Sequence, residues 1–398
     1  MFLFFVLRLV AMLFIGDENL TDEWQLIIQN LSGENSAGKE MFATRIVEGE
    51  PVPNFFMPPA YPFFIYFLKL VFGAKFLPQI VIISQIIVSI ISIVYLYKIL
   101  AKFFPRKVCF FSTFIFAILP INIFASIIVS SASFQLSLLI FYFYALLVFT
   151  EKKSFLNILN FSIITSILIL LRGEFFAFHF LTILFLFFKK VNIKRILLSI
   201  LISLILVSPY LIRNYITFSS ISIAKAEGYD LWKGNNPYAG VEGNENINLE
   251  KNYNLKNKIE SLPPSKDYDF KIDKLYKKQA IEFIKLDPMR YLVLYFKKFL
   301  TFAFINFESN YPGYFNLLHI IPKIILSFGT IISFFYLKKK DEFLIFSLLY
   351  YLATLSIFSF FFILPRYSLS VLPIQFFMIS FLLTKMNIKI FKNNNNEI

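Results

Sequence analysis

The chain has 398 residues, of which 58% are hydrophobic, 19% aromatic and only 16% charged. A soluble domain is roughly 45–50% apolar and about 25% charged. The apolar residues fall in long runs separated by short basic clusters, which excludes an ordinary soluble enzyme and describes an all-α polytopic membrane protein. The net charge of +14 sits largely on Lys and Arg between those runs, so topology accounts for it and a nucleic-acid partner is excluded.

Residues 1–15 are apolar with Arg8 in the middle. They lack the basic start and small-residue cleavage site of a signal peptide, so they read as a first spanning helix. A span needs roughly 20 residues; this run is shorter, so neighbouring residues contribute or the true start lies upstream. Further spans are expected at 78–98, 108–127, 133–150, 154–171, 175–188, 195–213, 315–337, 342–363 and 367–384. Between them stand basic clusters: Lys98, Lys102, Arg106 and Lys107; Lys152 and Lys153; Lys189, Lys190, Lys194 and Arg195; Lys338 to Lys340; and Lys385, Lys389 and Lys392. Placing all of these on the cytoplasmic side predicts ten crossings with both termini inside. The segment 289–306 is apolar but carries Lys297 and Lys298 at its centre, where each charge in a span costs about 2.5–3.5 kcal/mol. It is therefore expected to lie in the interface with its lysines among the headgroups.

Three regions follow: residues 1–213, an N-terminal transmembrane module containing an outer loop at 16–61; residues 214–288, a second extracytoplasmic loop region; and residues 289–398, the interfacial helix with the last spans. The second loop ends in a basic amphipathic helix near Lys271 to Lys285. A protein with its two largest polar loops on one face is expected to work on that face. The lone Cys109 lies in an apolar run and excludes an intramolecular disulfide framework.

The first outer loop opens Gly16-Asp17-Glu18-Asn19-Leu20-Thr21-Asp22-Glu23-Trp24, with four carboxylates in seven residues just beyond the first span. Thr21 and the early acids suit a helix N-terminus; alternatively, one carboxylate is a general base held over a lipid substrate. Met57-Pro58-Pro59-Ala60-Tyr61-Pro62 then forms a rigid elbow before the apolar stretch 63–72. Arg172, Arg213 and Arg366 each end an apolar run on the predicted outer side, placed either to snorkel or to bind phosphate through a bidentate fork. His179 and His319 stand without ligand-like neighbours, and no metal spacing, Gly-rich phosphate loop or Ser-His-Asp set can be assembled.

An acid after the first span, then Asn30-Leu31-x-Gly33 and Pro58-Pro59-x-Tyr61-Pro62, resembles the bacterial membrane glycosyltransferases related to protein O-mannosyltransferases, including the lipid A aminoarabinose transferase type. The resemblance continues through Pro209 to Arg213-Asn214-Tyr215, Tyr229-Asp230-Leu231-Trp232-Lys233-Gly234-Asn235-Asn236-Pro237, and Pro365-Arg366-Tyr367. Ala60 stands for a usual glycine, Leu26 is near the position of a usual Tyr, and the Ser130 to Gln135 region carries no carboxylate where the family often has one. The resemblance implies a GT-C fold and inverting sugar transfer from a polyprenyl-phosphate carrier to a cell-envelope glycan, lipid or protein acceptor. Catalysis falls to Asp22, with Asp17 and Glu23 as alternatives. Arg172, Arg213, Asn214, Tyr215, Trp232, Asn235, Arg366, Tyr367 and Tyr61 are the expected substrate-binding residues. The lipid-linked sugar is a co-substrate, no protein-bound metal is assigned, and a divalent-ion requirement is left open. The expected location is the cell inner or plasma membrane, multi-pass, with an extracytoplasmic site. A transporter or flippase of lipid-linked glycans fits less well, since the mid-span regions hold few ionisable residues beyond Arg8 and His179 and show no repeat. A glycan polymerase or ligase shares the outer-face chemistry and is the closer alternative.

Overall fold

The computed structural model describes residues 1–15, 44–47, 50–53, 58–223, 227–244, 253–311 and 313–386. Helices dominate, with one short antiparallel ribbon, β1 (Thr44–Val47) and β2 (Glu50–Pro53), pairing Thr44 with Pro53. In chain order the apolar helices are α1 (Phe2–Ile15), α2 (Ala60–Phe72), α3 (Leu77–Leu100), α4 (Arg106–Ile118), α5 (Pro120–Ile127), α6 (Ser131–Glu151), α7 (Phe155–Leu171), α8 (Phe175–Phe188) and α9 (Ile193–Phe218). The second polar region folds as α10 (Glu227–Asn235), α11 (Tyr253–Glu260) and α12 (Tyr268–Leu286). There follow α13 (Pro288–Ala303), α14 (Leu317–Phe334), α15 (Glu342–Ser359), a 3₁₀ turn (Pro365–Ser370) and α16 (Leu372–Lys385).

Nine of the ten expected spans fall on single apolar helices and the tenth, 108–127, is divided between α4 and α5; their lengths differ from expectation. Five of them, α3, α6, α9, α14 and α15, are long and apolar enough to cross a membrane, and the α4–α5 pair makes a sixth if its 51° bend lies within one span. The others, α1, α7, α8 and α16, are shorter apolar helices.

The bend has a local cause. Pro120 cannot donate to Phe116, and the freed carbonyl instead accepts from the Asn122 side chain at 2.9 Å. The neighbouring Ala117 carbonyl accepts from Arg8 at 3.2 Å, and a second Arg8 nitrogen reaches Ser89 at 3.5 Å. Backbone groups opened inside an apolar bundle must find partners within it, and Arg8 serves that need. Pro209 in α9 is handled similarly: the Ser208 hydroxyl donates to the Ile205 carbonyl that Pro209 leaves unserved.

The middle of the bundle is α6, which is apolar all round as a surrounded helix should be. Its Phe143 ring meets Phe343, Tyr350 and Phe377 from α15 and α16. Small hydroxyl residues sit where helices approach closely: Ser162 of α7 donates to the Ser199 carbonyl of α9 at 3.1 Å, and Ser380 of α16 donates to Ser112 of α4 at 2.8 Å. Without a hydrophobic drive between helices in lipid, such contacts take its place.

The basic clusters around Lys102, Lys152 and Lys189 to Arg195 gather at one end of the bundle, while Lys389 and Lys392 lie outside the described residues. Lys102 pairs with Glu151, Lys189 pairs with Glu342, and Arg195 donates to the carbonyls of Phe149 and Lys152. Phe103 stacks on Phe343 at the same end.

The α13 segment departs from expectation in one respect. Its Leu292, Val293, Phe296 and Leu300 form an exposed apolar face, and Lys297 reaches Glu308 at 2.6 Å on the surface. Lys298, expected at the headgroups, is instead fully buried and donates to the Gly234 carbonyl at 2.7 Å and to Asn235 Oδ1 at 3.2 Å. It is the opposite face of α13 that carries Lys298 to the C-terminal end of α10, where an ammonium complements the unpaired carbonyls.

Candidate active site

The end of the bundle opposite the basic clusters is organised by α10. Its N-terminus is capped from α12: the Asp273 carboxylate accepts from the backbone N–H groups of Gly228 and Tyr229, each at 2.9 Å. Such an approach requires glycine at 228, where a Cβ would lie 2.1 Å from the Asp273 carbonyl oxygen. Trp232 is buried, donates to Gln279 at 2.7 Å and packs against Tyr229 and Tyr276. Gly234 lets the helix press onto the chain before the 3₁₀ turn, since a Cβ there would sit 1.9 Å from the Phe361 carbonyl oxygen. The Asn235 amide donates to the carbonyls of Leu231 and Phe360 at 2.8 and 2.7 Å, and the Ile363 N–H donates to the Val241 carbonyl at 2.9 Å. The Trp-Lys-Gly-Asn segment is thus a junction fastening the polar region to the membrane helices.

Three of the expected binding residues make contacts within the fold. Trp232 is buried behind Gln279 and offers no open face for a sugar ring, and Asn235 uses its amide on backbone carbonyls. Tyr61 is 1% exposed and donates to Gln85, which itself donates to the Ile128 carbonyl at 2.8 Å, tying α2 and α3 to the turn before α6. Aromatic and amide side chains look alike in sequence whether they face a ligand or close a joint.

What the junction positions is a charged cluster. Asp230 lies within electrostatic reach of Lys233, Glu174, Asp273 and Arg172. Tyr367 lies within reach of Arg172, Arg366, Asp230 and Glu174, so the same cluster extends to the 3₁₀ turn. Arg172 and Glu174 occupy the short turn between α7 and α8, held by the Phe175 N–H donating to the Arg172 carbonyl at 2.9 Å. Burial, reinforced by the carboxylates of Glu174 and Asp273 and opposed by Lys233 and Arg172, pushes the Asp230 carboxyl up to about 7. Burial pulls the Lys233 ammonium down, with Arg366 adding to that and Asp230 opposing it. Lys233 also lies over the Phe362 ring, 4.5 Å from its centre.

Arg172, Arg366 and Tyr367 are thus brought together. The guanidinium of Arg213 donates to Asn214 Oδ1 at 2.9 Å and lies 5.1 Å from the centre of the Phe218 ring. Asn214 is fully buried and donates to the Ser222 carbonyl at 2.6 Å, closing the end of α9, while Tyr215 is 59% exposed on the outside of that helix. Asp17, Asp22 and Glu23 lie outside the described residues. The sequence reading missed Asp230 and Lys233 as site residues. Their signal was present in the same motif, as the two charged positions among Trp232, Gly234 and Asn235.

Beside Arg366 opens a groove of about 560 Å³ between α5, the start of α6, Tyr311, residues 313–319 and the 3₁₀ turn. Pro120, Phe124, Ile128, Leu318, Leu364 and Leu369 give it apolar walls, and Arg366 and Ser130 are among its few polar groups. Ser130 also caps α6, its hydroxyl accepting from the Ala132 N–H at 3.3 Å. Among the described residues, no group of three or more His, Cys, Asp and Glu side chains is placed to hold a metal ion.

Fold and site together define a predominantly helical, multi-pass membrane protein with an apolar groove edged by Arg366 and a neighbouring cluster that holds Arg172 and the half-buried Asp230. Residues 57–212 match the model of a family described as dolichyl-phosphate-mannose-protein mannosyltransferase. The match bears out the mannosyltransferase resemblance over α2 to α9 and supports glycosyltransferase chemistry of the GT-C kind. The junction, the 3₁₀ turn and half of the groove lie beyond the matched segment. No curated protein matches the chain.

Proposed function

We propose that this protein transfers a sugar from a polyprenyl-phosphate carrier to a cell-envelope acceptor on the extracytoplasmic face of the plasma membrane. The observation that carries the reading is the groove with Arg366 at its edge, continuous through Tyr367 with Arg172 and Asp230. An isoprenoid chain needs an apolar channel open to lipid, and a sugar phosphate at its end needs a cation where that channel meets water.

In this mechanism Asp22, or Asp17 or Glu23 in its place, takes the proton of an acceptor hydroxyl or amine. The freed lone pair attacks the anomeric carbon from the side opposite the phosphate. The bond between that carbon and the phosphate oxygen breaks, inverting the centre, and polyprenyl phosphate leaves with the electron pair. Arg366, with Arg172, stabilises the charge that develops on the leaving phosphate. A preorganised donor of that kind is worth about 10²–10³ in rate. Arg213, engaged with Asn214 and Phe218, is given no part in this step.

The test incubates membranes carrying the protein with defined polyprenyl-phosphate sugars and follows transfer to envelope material. Asp22→Ala is expected to abolish transfer with expression unchanged, and Arg366→Ala to slow it by about 100-fold. A wild-type preparation that consumes none of these donors while remaining folded would overturn the proposal.

A further inference from the structure

The groove is unbalanced in charge. Its described lining includes Arg366 and His319 and no carboxylate. A smaller adjoining cavity shares Ile121, Leu318 and His319 with it and adds Lys323. His319 and Lys323 are one turn apart on α14, on the same face of the helix, within electrostatic reach of each other. No described carboxylate faces Lys323; its ammonium instead rises toward Tyr314, 5.8 Å from the ring centre, and Tyr314 lines the groove. The His319 ring lies 5.2 Å from the same tyrosine ring, and its Nε2 is buried with no hydrogen-bond partner among the described residues.

Two basic side chains on one turn of an apolar helix, one of them with a buried ring nitrogen left over, and a guanidinium lining the same groove make an expensive arrangement for an empty site. Snorkelling accounts for Lys323 alone. It does not account for the unpartnered His319 nitrogen or for Arg366 on the facing wall.

We propose that Arg366, His319 and Lys323 form an anion clamp, holding the phosphate of a single-chain lipid monophosphate whose hydrocarbon lies along the groove. The three groups approach from two walls, which suits a tetrahedral phosphate with several oxygens better than a planar carboxylate. An inorganic phosphate would leave the apolar walls unused. This deepens the donor reading above and rests on it for the identity of the lipid. It assigns to α14 two contacts that the matched segment, ending at residue 212, does not include.

The experiment uses the full chain in nanodiscs of zwitterionic lipid and measures retention of sugar-free polyprenyl monophosphate by native mass spectrometry. The double variant His319→Gln/Lys323→Met is expected to bind at least tenfold more weakly than wild type, while Lys323→Arg restores binding to within about threefold. Size-exclusion profiles and thermal unfolding establish that each variant is folded. Retention unchanged in the double variant overturns the clamp. So does displacement of the polyprenyl phosphate by phosphatidylglycerol or by inorganic phosphate at equal concentration, since either would make the site a general anion site. Binding lost in the double variant, with no sugar transferred by wild type from any donor, leaves the clamp standing and removes the transferase reading. Transfer by wild type and double variant alike does the reverse.

Discussion

Asp230 makes a testable statement about proton linkage. Its carboxyl is raised from 3.8 to about 7, chiefly by burial, so the folded protein holds this proton over a pH range in which the unfolded chain has lost it. The folded state binds more protons, and stability therefore falls as pH rises from about 4 to about 7, then levels off. Asp230→Asn keeps the shape and removes the ionisation. Its melting temperature in detergent should match wild type near pH 4 and exceed it at pH 8; a variant that melts lower at pH 8 would show that the ionised form is welcome in the fold. Gly234 provides a steric counterpart. A methyl at this position would meet the Phe361 backbone oxygen at 1.9 Å, whereas one at Gly240 meets nothing within 4 Å. Gly234→Ala is expected to cost about 1–3 kcal/mol or more by overpacking, while Gly240→Ala stays within about 0.5 kcal/mol as an open surface site. Chemical unfolding followed through the tryptophans measures both.

At the scale of elements, α10 depends on a cap supplied by another helix. Asp273→Ala removes two hydrogen bonds to Gly228 and Tyr229 and should cost about 0.5–2 kcal/mol. Because α10 has only nine residues, the loss should appear locally, as faster amide exchange over 228–236 with α6 and α7 unaffected. Uniform acceleration across the bundle would mean that the cap supports the whole molecule. The apolar helices were legible in the sequence because lipid demands long uninterrupted runs, and every expected span but 108–127 falls on a single one. The break at Pro120 was not, since Arg8 and Asn122 repair it from other parts of the chain. The site was legible unevenly. Arg172 and Arg366 end apolar runs, and that position brought them together with Tyr367. Tyr61, Trp232 and Asn235 also form joints that the sequence did not show, because their partners Gln85, Gln279 and the Phe360 carbonyl lie from 24 to 125 residues away. Lys298 shows the converse: a charge assigned to the headgroups by its neighbours is buried through a contact 64 residues distant.

The molecule as a whole has two unlike ends. One carries Lys102, Lys189 and Arg195 in contacts with Glu151, Glu342 and the chain at 149–152. At the other stand the α10 junction, Arg172, Arg366 and the groove. The positive-inside tendency acts on short loops, and the loops at the first end are short and rich in Lys, so the proposed function predicts that end in the cytoplasm and the groove opening outward. Orientation matters to the chemistry, because a carrier flipped after its synthesis presents its sugar on one side only. The single cysteine makes the test clean: Cys109 is buried and invisible to water-soluble maleimides. A cysteine replacing the exposed Tyr238 near the junction should react with an impermeant maleimide on intact cells, and one replacing Lys340 should react only after the membrane is opened. Labelling in the opposite order would invert the topology and put the groove where the basic loops are expected. The fold would survive that result; extracytoplasmic transfer would not.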